Sequence, residues 1–493
     1  MPRPGGVLGI ARTPGGLRPV YCCGMDHSTA RAAKATTSVL AFLVLVEITS
    51  GFVQGFYTPV LPELAKHVGV SGEAMNWFQT AQAMAAAVVV PLMARMGDMY
   101  GPRKVLRVAV VAVLAGALLV ALVPSYPIVL LGRILIGPLG VWLALSIAII
   151  YVRAAGGNAT RSISILSASL MGGIVLGTVA AGLAERFLPN IVLTLLVPSV
   201  MVLLCVYAVF FKLPKDIDLS PGKIDWVGFI GLGAVMVSLI LALAYMGPTH
   251  ATLSTILFVV TVALFAAWVW WERKAPDPAI DLGMVVSKSL GPLYIAAFAM
   301  GVIMIDAPPN LADFLSRDPE LYGFGFAASS ERLAVMIAVM LIFATAGALS
   351  STFIAAKLSM RKTLVGAALV GAVGQLLLLL LPHIAVAFWV SGALTGFGLG
   401  VLVGALPALV SRAAPEGKTG IANGIYSALL AMGGAVGGAI FKQLLAVFRD
   451  SDHNATLGGY QATWALSVVL FLVAAWMMAK VNLNPKEQAT AEA

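Results

Sequence analysis

The chain is 493 residues long, 60% hydrophobic and only 11% charged, with a formal net charge of +9. A soluble domain carries about 25% charged residues, so a globule surrounded by water is excluded. The excess Lys and Arg fall in short loops between apolar runs and not in one block, which excludes a nucleic-acid surface and fits the positive-inside rule of membrane proteins.

Residues 1–36 are rich in Gly, Pro and Arg and lack a long apolar stretch. They read as a cytoplasmic tail and not as a cleavable signal peptide, and Met25 is an alternative start. Cys22 and Cys23 are neighbours there, Cys205 stands alone in an apolar run, and no metal-ligand spacing is present. Fourteen apolar runs follow, each close to the roughly twenty residues that cross a hydrocarbon core. Their bounds are about 37–60, 74–96, 104–123, 127–151, 162–184, 190–211, 225–246, 252–271, 290–308, 332–355, 363–381, 384–410, 420–441 and 460–480. Every second gap is basic, with Arg103, Lys104, Arg153, Arg161, Lys212, Arg273, Lys357 and Arg412 among its residues. The intervening gaps hold many acids, including Glu63, Glu73, Asp313, Asp318 and Asp450. The chain is therefore expected to be an all-α integral protein of the cell membrane, multi-pass, with both termini cytoplasmic. The pair Pro308-Pro309 is expected to break its span near the outer end.

Two stretches repeat about 260 residues apart. Arg153-Ala154-Ala155 leads to Ser167-Ala168-Ser169-Leu170-Met171-Gly172-Gly173, and Arg412-Ala413-Ala414 leads to Ser427-Ala428-Leu429-Leu430-Ala431-Met432-Gly433-Gly434. Repeated halves of the same topology are the plan of a transporter whose cargo binds at the midplane between them. The expected organisation is a tail (1–36), a six-helix bundle (37–211), two extra spans with linkers (212–289), a second six-helix bundle (290–481) and a tail (482–493). In this repeat Arg133 falls opposite Ala393, and Glu47, aligned through Pro59 and Pro309, falls opposite Ala297. Each is a costly polar residue present in one half alone.

The second loop reads Gly97-Asp98-Met99-Tyr100-Gly101-Pro102-Arg103-Lys104. It resembles the G-x-x-x-D-x-x-G-R-[RK] signature of the major facilitator superfamily. The glycines suit a tight turn, Asp98 suits a helix end or a basic partner, and Arg103 and Lys104 supply inside charge. In that family the loop latches the cytoplasmic side shut. Trp77-Phe78-Gln79-Thr80-Ala81, Ile224-Asp225-Trp226-Val227-Gly228 and Pro276-Asp277-Pro278-Ala279-Ile280-Asp281-Leu282 resemble the fourteen-span drug:proton antiporter branch. The resemblance implies the major facilitator fold, two six-helix pseudo-repeats plus two extra helices, and efflux by antiport. The antiporter motif of span five is represented by Gly173, Gly177 and Gly182, but Thr178 and Ala181 stand where that motif has proline and glycine. The branch's outer-end aspartate of span one is absent, with Val53 in that region. Arg133, Gly137 and Gly140 resemble the span-four motif, whose glutamine is here Ile136.

Glu47 lies about ten residues into span one, roughly 15 Å from the inner surface at 1.5 Å per residue. A carboxylate there costs about 2.5–3.5 kcal/mol and is expected to face the bundle interior. It is the candidate proton carrier, with Arg133 within reach to tune it and Asp306 as a second candidate. A structural hydrogen-bonded acid, a fixed ion pair and a solvated end charge are the respective competing readings. Gln54, Trp77, Gln82, Trp142, Asn423 and Tyr426 are expected to line the cavity, which favours a small amphipathic or apolar cargo. There is no G-x-x-x-x-G-K-[ST] loop, so no nucleotide is expected, nor an enzyme, a metal or an organic cofactor. The expected energy source is a proton gradient. The expected function is proton-coupled export of small molecules. A proton-coupled uptake symporter and a lipid translocator or membrane-assembly factor are the rivals.

Overall fold

The computed structural model describes residues 9–11, 18–20, 27–70, 72–153, 157–213, 223–247, 250–328, 330–415, 418–449 and 455–481. In hydrocarbon every backbone N–H and C=O must be paired within the chain, which leaves helices as the economical way to cross. A short hairpin, Gly9–Ala11 with Arg18–Val20, precedes them. The first half is α1 (His27–Val68), α2 (Gly72–Tyr100), α3 (Pro102–Leu122), α4 (Tyr126–Ile136), a 3-10 turn (Gly137–Val141), α5 (Trp142–Arg153), α6 (Gly157–Phe187) and α7 (Ile191–Phe211). The extra hairpin is α8 (Trp226–Ala244) and α9 (Ala251–Glu272). The second half is α10 (Leu282–Val285), α11 (Gly291–Ser316), α12 (Pro319–Tyr322), α13 (Ser330–Leu358), α14 (Met360–Leu380), α15 (Ala385–Ala413), α16 (Thr419–Val447) and α17 (Leu457–Lys480).

Among the described residues, thirteen helices are long and apolar enough to span a membrane. The remaining expected span is α11, whose apolar part, Gly291–Met304, is shorter because Asp306, Asn310 and Asp313 occupy its outer half. Among the described residues three apolar cores form: one mainly of first-half residues, one mainly of second-half residues with Leu232, Val235 and Trp268 of the extra hairpin, and a smaller one around Phe314. The end with the basic loops is here the basic end, and the opposite one the acidic end.

Two expectations about helix breaks change places. The helix α11 continues through Pro308-Pro309 to Ser316. The turn beyond the prolines is clamped by Phe314, which stacks on Phe388 at 5.3 Å and on Phe324 at 5.4 Å. Packing by neighbours lets a membrane helix tolerate the missing donors. Span four, expected as one helix, is instead interrupted by the 3-10 turn at Gly137-Pro138-Leu139-Gly140. Proline there withholds an N–H from the ladder. Its repeat partner α15 has Gly398 at the matching place and runs unbroken.

The halves share one close crossing each. A methyl group added to Gly51 of α1 would strike the Leu170 carbonyl of α6, and one added to Gly173 would strike the Ile48 carbonyl. In the second half Gly301 of α11 meets Leu430 O of α16, and Gly433 meets Phe298 O. Small residues that let backbones touch are the usual glue between membrane helices.

Candidate functional site: the basic-end latch and the buried charges

The loop between α2 and α3 turns at Gly101, whose φ of 107° suits glycine alone. Pro102 then opens α3. This turn aims Asp98 across the seam at the start of α16. Asp98 Oδ1 accepts from Gly420 N at 2.9 Å and Oδ2 from Ile421 N at 2.7 Å. The first amides of a helix have no partners of their own, and a carboxylate there also meets the positive end of the helix dipole. Of the two roles open to Asp98 in the sequence, capping is the one adopted. Arg103 and Arg107 donate to Phe210 O, at 3.1 and 2.7 Å, and fasten α3 to the end of α7. Lys104 is exposed, and Gly97 leaves room for Leu145. On the other side of the seam Ser164 Oγ donates to Gly404 O at 2.8 Å and Ser351 Oγ to Ser164 Oγ at 3.2 Å. Arg412 donates to Thr160 Oγ1. The basic end is thus closed by polar contacts between the halves.

Glu47 is 0% exposed, and neither carboxylate oxygen is hydrogen-bonded. Ser146 of α5 lies beside it without a bond of good geometry. An uncompensated carboxylate in such a place is costly.

Arg133 is 3% exposed but does not pair with Glu47. It donates to Phe78 O at 3.3 Å and to Gln79 Oε1 at 2.7 Å, and it lies over the rings of Phe78 (4.1 Å) and Tyr57 (4.9 Å). The expected juxtaposition fails for a simple reason. Tyr57 is ten residues beyond Glu47 on α1, roughly 15 Å along the axis. The aromatic box was the part missed; its only sequence signal was Trp77-Phe78-Gln79.

The residues expected to line a cavity each have their own surroundings. Gln54 is exposed and donates to Ser50 Oγ at 3.3 Å. Trp77 packs on Tyr245 at the end of α8, 5.6 Å between centroids. Asn423 donates to Ser411 Oγ at 2.8 Å and to Thr419 O at 3.0 Å. Trp142 and Tyr426 are buried with unpaired polar hydrogens, and Gln82 Oε1 is also unpaired. Among the described residues, one cavity lies within the second half, lined by Gln375, Ser391, Thr395, Thr463 and others, and another between α2, α8 and α16. None of the six expected residues lines either. Gly173 and Gly177 sit at the α1 crossing, whereas Gly182 has no neighbour to admit. The Asp306 side chain lies outside the described residues.

Two repeated helical bundles, joined at one end by a carboxylate cap across the seam, are the architecture of a membrane transporter. The Major Facilitator Superfamily profile matches residues 43–438, and again 293–493, and the chain belongs to that family. It is 24% identical over 484 residues to the quinolone resistance protein NorB of Staphylococcus aureus (strain COL), covering 93% of this chain and 99% of the relative. It is 23% identical over 445 residues to multidrug resistance protein 3 of Bacillus subtilis (strain 168), covering 88% and 84%. Among solved structures, the human organic anion transporter MFSD10 superposes with a TM-score of 0.64 at 15% identity over 91% of this chain and 99% of that one. The proton:xylose symporter XylE gives 0.62 at 14% identity over 91% and 96%.

Proposed function

We propose that the chain exports small amphipathic or apolar compounds from the cell in exchange for protons, by alternating access. The two bodies that rock are residues 37–211 and 290–481, and the basic end with both termini is cytoplasmic. The observation that carries the reading is Glu47: fully buried, unpaired, beside the α1–α6 crossing, and replaced by Ala297 at the matching crossing. Glu47 takes up a proton from the acidic side and loses it to the cytoplasm after the latch at Asp98 has opened. Arg133 secures α4 to α1 and α2 and leaves Glu47 free to titrate. Asp306 is the reserve proton site, and cargo binds between the bundles near Gln54, Gln82, Trp142, Asn423 and Tyr426 once they part. Support for export comes from the two bacterial relatives, which are named for drug resistance.

The energy suffices. One charge crossing about 100 mV supplies roughly 2.3 kcal/mol, and a tenfold proton gradient adds about 1.4. Together they sustain a concentration ratio of several hundred. The test is cargo flux in proteoliposomes under an imposed pH gradient, for the wild type and Glu47→Gln. Gradient-driven flux in the wild type and its loss in the variant are expected. Full proton-driven flux through Glu47→Gln would end the assignment. Flux in the uptake direction in whole cells would favour a symporter.

A further inference from the structure

The extra hairpin touches both sides of the latch. Gly233 of α8 packs on the Val88 side chain of α2, the helix that carries Asp98, and Trp77 at the far end of α2 packs on Tyr245. The other connection runs through the linker from α9 to α10. Buried Glu272, the last residue of α9, accepts from Ile280 N at 3.2 Å. Asp281 then accepts from Met284 N at 3.2 Å, capping α10, and from Lys418 Nζ at 3.3 Å. Lys418 is the residue immediately before α16, and its side chain caps nothing in that helix. It instead ties the start of α16, which presents Gly420 N and Ile421 N to Asp98, to the linker. The base of the hairpin is itself fixed. Trp268 Nε1 donates to Gly228 O at 2.9 Å, Trp271 Nε1 to Asp225 Oδ2 at 2.9 Å, and Gly228 N to Asp225 Oδ1 at 2.9 Å.

We propose that the α8–α9 hairpin braces the latch: Glu272, Asp281 and Lys418 are positioning residues that hold the α16 N-terminus against Asp98. The hairpin grips α2 directly, meets the middle of α16 through α8, and reaches the start of α16 through nine residues of linker, 273–281, so it forms a further connection across the seam at the basic end. The halves cannot part at the basic end unless the Lys418–Asp281 tie or the Glu272–Ile280 bond lets go. The extra pair of spans therefore biases the transporter toward the state closed at that end. The inference rests on the reading of Asp98 as the latch.

Spin labels at Lys104 and Lys362, both exposed at the basic end, report the opening as a distance distribution in nanodiscs, with Cys22, Cys23 and Cys205 replaced. Lys418→Gln and Asp281→Asn are expected to raise the open fraction about twofold to fivefold, the size of an exposed ion pair. Glu272→Leu, which removes the acceptor for Ile280 N, is expected to raise it at least as much. Glu272→Gln keeps an acceptor of the same length and is expected to restore the closed distribution; simple loss of packing would not produce that pattern. Asp98→Asn serves as the control. If it opens the basic end while Lys418→Gln, Asp281→Asn and Glu272→Leu all stay closed, the brace is wrong and the latch stands. If Asp98→Asn also leaves the distribution unchanged, the latch reading fails first.

Discussion

The crossing of α1 with α6 and that of α11 with α16 are copies of one another. Gly51 meets Leu170 O where Gly301 meets Leu430 O, and Gly173 meets Ile48 O where Gly433 meets Phe298 O. One turn before the glycine of the first helix the copies diverge: Glu47 lies in one, Ala297 in the other, both fully buried. The lesson is a division of labour. Close packing is needed in both bundles and is kept in both. The second crossing holds with Ala297, so the crossing geometry itself does not require an acid.

Copying the second crossing into the first tests this most severely. Glu47→Ala is expected to reduce the gradient-driven cargo ratio from several hundred to about one, because the roughly 3.7 kcal/mol from one proton no longer reaches the cargo. Thermal unfolding in detergent is expected to be unchanged or higher, since an unpaired buried carboxyl is removed. A large fall in stability would make Glu47 a structural residue and dissolve the contrast. Next in size, Gly51→Leu and Gly301→Leu are each expected to destabilise by about 1–3 kcal/mol or more through overpacking. Both should act alike, measured as the loss of folded protein on heating. A mild effect in one half alone would show that the crossings are not equivalent.

Much of this contrast is readable from residue order. Lipid penalises every polar side chain on a span, so the spans, the loop charges and the lone Glu47 stand out from hydropathy and from the internal repeat. The glycines of the crossings align for the same reason. What residue order did not give is rotation and depth. Glu47 and Arg133 lie on spans expected to be neighbours, yet ten residues of helix rise keep them apart. The Phe78 and Tyr57 rings that receive Arg133 look like ordinary apolar residues. Proline effects also depend on the neighbours: Pro138 coincides with a 3-10 turn, whereas Pro308-Pro309 is absorbed under the Phe314 cluster. Gln54 and Asn423 point to a cavity by polarity and Trp77 and Tyr426 by aromatic surface, and both properties mark helix contacts as readily as a cavity.

Two smaller effects sharpen the comparison. Arg133→Met is expected to cost about 1–3 kcal/mol, from lost hydrogen bonds to Phe78 O and Gln79 and lost ring contacts. Combined with Glu47→Gln, the stability changes are expected to add within about 0.5 kcal/mol, as for separated sites. Strong coupling would restore the ion pair. Asp98→Asn weakens the charged cap on α16, worth about 0.5–2 kcal/mol. A Ser164→Cys reporter behind the closed basic end is expected to react with a bulky maleimide about twofold to thirtyfold faster in that background. An unchanged rate would mean that contacts other than the Asp98 cap, Arg412 with Thr160 among them, keep the end shut.

The smallest effect concerns pH. Partial burial pushes the Asp281 carboxyl up, but the Met284 amide and Lys418 outweigh it, and the group lies below its ordinary value of 3.8. A depressed carboxyl lends its stability above the unfolded value and loses it as pH falls through the folded one. The Lys418–Asp281 tie is therefore expected to be constant from neutral pH to about 5 and to fail only below 3.8. With both side chains more than a third exposed, it contributes at most about 1 kcal/mol. The open fraction of the doubly spin-labelled chain at pH 7, 5 and 3.5, with and without Asp281→Asn, checks this. The difference between the two chains should persist at pH 5 and shrink at 3.5. If it vanishes at pH 5, protonation elsewhere controls the linker.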